Sequence, residues 1–174
     1  MSVIYKIMDV DLFVKELLKA YADQKSLIQS YHETIFTVLE SSRPGQSNNN
    51  LVIEVVNELR NILPSEIENI KIIHKLIEKY GYMNAGHLYE MENLVPNCRI
   101  VSPKDILKGG IGELISNLSR AEMCINENLR KLARQVNNAD IVKDLQSIII
   151  SHEKHVIRLR KLWDKIDYMG MDIS

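Results

Sequence analysis

Apolar residues recur at helical spacing in four long windows of this chain, and no window alternates with the period of two that a half-buried strand requires. The first window predicts a helix over about 10–40, with Phe13, Leu17, Tyr21, Ile28, Tyr31, Ile35 and Val38 on one stripe. The stretch 41–50, rich in Ser, Asn, Pro and Gly, then reads as a loop. A second helix is expected over 51–80, through Val52, Val55, Leu59, Ile62, Ile70, Ile73 and Ile77. Pro64 interrupts it and should kink it or leave one turn unpaired, because proline has no N–H to give. The pattern resumes in phase, so one bent helix is expected rather than two, with Gly81 as its stop. A third helix is predicted over 103–136, started by Ser102, Pro103 and Asp105 and carried by Ile111, Ile115, Leu118, Ile125, Leu129 and Leu132. Gly109 and Gly110 weaken its first turns. The fourth helix is expected over 139–167, through Ile141, Leu145, Ile148, Leu159, Leu162 and Ile166.

The connections are short, long, short. Residues 81–102 exceed what two adjacent helices need, and a short helix around Ala85–Met91 fits within them. The expected fold is therefore all-α: an antiparallel four-helix bundle with a long crossover between the second and third helices, as a single domain over 1–174.

Polar residues break each stripe at one place. Gln24 and Glu122 fall inside the first and third stripes, and the pairs Glu66/Asn69 and His152/His155, each i,i+3, inside the second and fourth. A carboxylate, amide or imidazole in a core is costly unless it is paired or holds a metal. The two halves of the chain also echo one another. Ser65-Glu66-Ile67-Glu68-Asn69-Ile70 aligns with Ser151-His152-Glu153-Lys154-His155-Val156, and Ala22-Asp23-Gln24, more loosely, with Arg120-Ala121-Glu122.

These positions resemble the metal helices of rubrerythrin-type ferritin-like proteins over about residues 12–166. In that family one Glu on each of two helices faces a Glu-x-x-His on each of the other two. Here Glu66, Glu122 and His155 match the pattern, whereas Gln24 stands for a Glu, Asn69 for a His and His152 for a Glu. The resemblance implies a dinuclear ancestor whose first metal position has lost ligands. What remains is Glu66, Glu122, His152 and His155, a four-ligand set for one divalent ion such as iron, zinc or manganese. Two carboxylates balance one such ion but leave a second uncompensated. The same four groups would also be neutral as two ion pairs without metal, and a true dinuclear site is the third alternative. The resemblance implies a redox role toward oxygen, peroxide or metal ions; if the chain is an enzyme, it is an oxidoreductase. The alternative is a non-catalytic helical scaffold or oligomerisation protein with a remnant polar core.

Composition adds exclusions. The net charge of −1, with both signs interspersed, gives no footprint for nucleic acid or an anionic membrane. No apolar run is long enough to span a bilayer, and the first residues lack the pattern of a secretion signal, so a cytoplasmic location is expected. A homodimer is the expected assembly if the chain self-associates. Cys98 and Cys124 lack metal-ligand spacing and read as unpaired thiols, one in a loop and one on a helix. His32, Glu33, Glu40 and His74 read as surface or boundary residues, and His87, Glu90 and Glu92 as unpartnered groups of the long connection. Lys154, Arg158, Arg160 and Lys161 read as a solvated basic face near a helix end. Tyr21 and Tyr31 read as core residues.

Overall fold

A computed structural model describes residues 9–42, 49–81, 95–106 and 109–171. All regular structure among them is helical: α1 (Val10–Ser41), α2 (Asn49–Gly81), α3 (Pro103–Ile106), α4 (Gly110–Gln135) and α5 (Ala139–Met171). The helix starts follow local chemistry. Asp9 caps α1 by accepting the Asp11 N–H at 3.4 Å. Asn138 caps α5 through the N–H groups of Asp140 and Ile141, at 3.0 and 3.1 Å. Each bond satisfies a donor that the first helical turn would otherwise leave free.

Pro64 sits inside a continuous α2. Its side chain and that of Arg60 are exposed, so the carbonyl left without a proline N–H lies on a face that water reaches. The long third window is where expectation and structure part. Its described residues form α3 and α4, and at the start of α4 Gly110 takes φ 78°, a left-handed conformation open to glycine and costly for other residues. The short helix expected around Ala85–Met91, together with His87, Glu90 and Glu92, lies outside the described residues.

The long helices pack around one apolar interior: α1 against α2 and α4, α5 against α4 and α2. Leu17, Leu27, Val55, Leu59, Ile73, Ile115, Leu118, Leu145 and Ile148 are fully buried there. Each contributes on the order of 1.5–3 kcal/mol of burial. Ion pairs tie α2 to α5 along their outer edge, with Arg158 Nε donating to Glu58 at 2.6 Å and Lys165 reaching Glu54. Arg158 is thus a bridging residue of the basic stretch rather than a purely solvated one.

The expectation of unpaired thiols is overturned. Cys98 and Cys124 form a disulfide with Cα atoms 5.9 Å apart. The reason lies on α1, where the buried Asp23 carboxylate accepts the Cys98 N–H at 2.9 Å and holds residues 95–102 against the helices. That places Cys98 over α4 beside Cys124, within the span a disulfide bridges. The bond closes a sequence separation of 26 residues. Constraining a loop of that length in the unfolded chain is worth about 3 kcal/mol. The pairing also removes free thiols as a sign of a reducing compartment. No described helix is long and apolar enough to cross a membrane.

Candidate metal centre

Every polar residue that breaks a stripe in the sequence is buried in the structure. Gln24, Glu66, Glu122 and His152 are fully buried, and Asn69 and His155 are 3% exposed. The stripe spacing is the cause: a position in phase with Leu17, Leu59, Ile115 or Ile148 must turn inward whatever its side chain.

Four of the six converge. One ligand-type atom from each of Glu66, Glu122, His152 and His155 lies within 4.8 Å of the others, so this group could hold a metal ion. Glu122 bridges the two imidazoles: its Oε2 meets His152 Nδ1, and its Oε1 lies 3.4 Å from His155 Nδ1. Glu66 Oε1 abuts His155 Nδ1 and lies 3.9 Å from His152 Nδ1. The Glu66–His155 contact is an ion pair between two buried groups.

The other two positions supply hydrogen bonds. Gln24 Nε2 donates to Glu66 Oε2, as does Asn69 Nδ2 at 3.3 Å. Gln24 Oε1 also lies 3.1 Å from His152 Nε2. Amide donors thus occupy one oxygen of Glu66 and leave the other facing the histidines.

No family model matches this chain, and no curated protein and no solved structure is detectably similar to it. The chemistry of the centre is therefore argued from its own atoms.

Electrostatics makes the cluster self-consistent without an ion. Burial opposes ionisation of Glu122, but the facing His152 charge and the bonds from both imidazoles outweigh it and hold the carboxyl below the usual range. Burial pushes Glu66 up, and the neighbouring Glu122 charge adds to the rise. Both imidazoles lose solvation, which lowers them, yet gain more from the carboxylates. His152 is raised by Glu122, and His155 is raised by Glu122 and Glu66 to about 9. A metal must displace these protons, since imidazole ligates as the neutral form.

Two residues play a larger part than the sequence reading gave them. Tyr31 is fully buried, as expected of a core residue, but its hydroxyl donates to Glu122 Oε1 at 2.5 Å. Burial, then the Glu122 and Glu66 charges, hold its phenol well above the ordinary value, so it stays a donor. Asp23, read only as part of a motif, is 1% exposed and anchors Cys98. Burial raises its carboxyl, and the backbone N–H groups of Cys98 and Asn97 offset part of that rise. A polar residue next to a core position in the helical register was the available signal for Asp23; nothing in spacing alone distinguishes the Tyr31 hydroxyl. His74 is half-buried, stacks beside Tyr21 with ring centroids 6.0 Å apart, and lies 3.7 Å from Glu78. It takes no part in the centre.

Proposed function

We propose that this chain is a ferritin-like protein of the rubrerythrin type, an antiparallel four-helix bundle with a crossover between α2 and α4, holding one divalent ion through Glu66, Glu122, His152 and His155. The observation that carries the reading is the convergence of two carboxylates and two imidazoles, all buried, on one place in the core. Antiparallel packing of α1 on α2 is supported by Phe13 meeting Tyr80 at one end while Gln24 meets Glu66 in the middle.

The donor set fits one ion. Metal–ligand bonds of about 2.1 Å put tetrahedral ligands about 3.4 Å apart and opposite ligands of a larger shell about 4.2 Å apart, so atoms within 4.8 Å of one another need to close by about 0.6 to 1.4 Å at most. Two nitrogens and two carboxylate oxygens suit iron, zinc or manganese. Gln24 Oε1, accepting from His152 Nε2, leaves His152 Nδ1 to face the ion, the usual arrangement of an orienting partner. A bound redox-active ion would supply electron-transfer chemistry toward oxygen, peroxide or further metal ions, which is the class the resemblance implies. With Gln24 and Asn69 committed as donors, the first half adds no second ion.

A metal-free scaffold is the second reading. Its supporting observation is that Glu122 with His152 and Glu66 with His155 already form opposite-charge contacts. Elemental analysis of protein purified without chelator separates the two. Near one equivalent of metal per chain supports the first reading; none, even after reconstitution with ferrous, zinc or manganous ions, supports the second.

A further inference from the structure

At the height of the cluster, four helix–helix seams separate it from solvent, and they are closed by different chemistry. Over α1 and α4 lie residues 95–102, held by the Asp23–Cys98 bond, the disulfide and Asn117, which donates to the Val101 carbonyl at 2.9 Å. Between α1 and α2 the Tyr21 ring packs against His74. Between α4 and α5, Arg130, Ala133, Ile149 and Glu153 line a surface pocket whose α4 side begins about two helical turns beyond Glu122. Between α2 and α5 the closure is small and polar. Ser65 Oγ and Ser151 Oγ are 2.8 Å apart and half-buried, and Asn69 Nδ2 links Ser151 Oγ, at 3.1 Å, to Glu66 Oε2, at 3.3 Å.

His155 lies beside this seam. On α5 it stands four residues after Ser151 and three before Arg158, both of which reach α2. It is the one member of the ligand set with any exposure, 3% against 0% for the other three, and its Nδ1 contacts Glu66. An ion entering a core must exchange its water for other oxygens step by step, because a bare charge in low dielectric is prohibitively costly. Two rotatable hydroxyls, leading to a carboxylate, form such a series.

We infer that the α2–α5 seam at Ser65 and Ser151 is the entry subsite for the divalent ion: the two hydroxyls take an ion that has shed part of its water and pass it to Glu66 and His155. The inference rests on the single-ion reading above, and it adds a route and two residues that do not belong to the final ligand set.

The test uses the metal-free full chain with cobaltous ion as the probe, followed by stopped-flow absorbance. Carbethoxylation of His155, followed by peptide mass spectrometry, is the metal-independent readout. Ser65→Val with Ser151→Val should slow uptake and release alike by at least about tenfold. The dissociation constant then stays within about threefold, the mark of a raised barrier rather than a lost ligand. Carbethoxylation should slow as well. Ser65→Ala with Ser151→Ala removes the oxygens and leaves a gap, so uptake should slow several-fold while carbethoxylation by the neutral reagent speeds up. Uptake unchanged in the alanine pair overturns the inference, whether or not the valine pair folds. If the unmodified chain takes no cobalt, the single-ion reading fails by itself. Carbethoxylation insensitive to both variant pairs would then overturn the seam as a route to the core.

Discussion

Gln24 and Glu122 are both fully buried, Glu66 and His152 likewise, and Asn69 and His155 are each 3% exposed. Aligned through the internal echo of the sequence, the two halves of the core thus hold their polar groups at equal depth. Even their flanking serines, Ser65 and Ser151, meet at 2.8 Å. What differs is chemistry. The α1–α2 half offers one carboxylate and two amides, and the amides spend their donors on that carboxylate. The α4–α5 half offers one carboxylate and two imidazoles, arranged around a common centre. Position alone does not make a metal ligand. An amide oxygen is a neutral donor that a transition ion binds far less well than carboxylate or imidazole.

The largest effect should come from deleting the same register position in each half. His155→Ala removes an imidazole that faces both carboxylates of the cluster, and metal affinity should fall at least about a thousandfold, to no measurable binding by titration calorimetry. Asn69→Ala removes only a donor to Glu66 and should weaken binding by about tenfold, the low end for an outer partner. Equal losses in the two variants would refute the asymmetry.

The converse experiment restores the missing chemistry. Gln24→Glu with Asn69→His gives the first half the ligands that the resemblance leads one to expect there. If the backbones are as equivalent as their burial, calorimetry should resolve a second binding event, taking the stoichiometry from one ion per chain to two. A single event in a variant that still folds would mean that the halves differ in backbone geometry as well as in side chains.

This comparison also explains what the sequence made legible. A helical stripe is a statement about direction, so the inward turn of Gln24, Glu66, Asn69, Glu122, His152 and His155 could be read without coordinates. The second helix, expected to stop at Gly81, is described as far as Gly81. The positive φ at Gly110 was visible only as two weakening glycines, because a glycine takes either sign of φ and its presence alone does not say which. The Cys98–Cys124 bond was illegible: it depends on Asp23, 75 residues from Cys98, catching a backbone N–H, a long-range contact that no periodicity encodes. The Tyr31 hydroxyl bond to Glu122 spans 91 residues and was hidden likewise.

A smaller effect should follow from Gln24→Ala. Gln24 bridges the halves, donating to Glu66 and lying 3.1 Å from His152 Nε2. Its loss should leave the four ligands in place but free the His152 ring to turn, costing about 10–100-fold in affinity. Gln24→Glu alone should recover the contact to His152 while placing a carboxylate against Glu66, so affinity and pH dependence should move together. If Gln24→Ala matches His155→Ala, the amide is itself a ligand and the division between the halves is wrong.

The gentlest perturbation is pH, and it acts on the two states of the α4–α5 half with opposite sign. In the metal-free protein, burial works against the charged His155, but the Glu122 and Glu66 carboxylates outweigh it and raise the imidazole to about 9. A group raised above its unfolded value of about 6.5 stabilises the fold fully below that pH, and the contribution is lost as pH rises through about 9. The metal-free chain should therefore lose stability across that window, by on the order of a few kcal/mol. Metal binding needs the same nitrogen unprotonated, so affinity should climb over the window by up to about tenfold per pH unit for the proton that His155 releases, and more steeply where His152 releases one as well. The gap in Tm between metal-loaded and metal-free protein should then widen from pH 6.5 to 9. In His155→Ala the metal-free slope over this range should flatten. A gap that narrows with rising pH, or a slope that His155→Ala leaves intact, would place the proton elsewhere and remove His155 from the centre of the site.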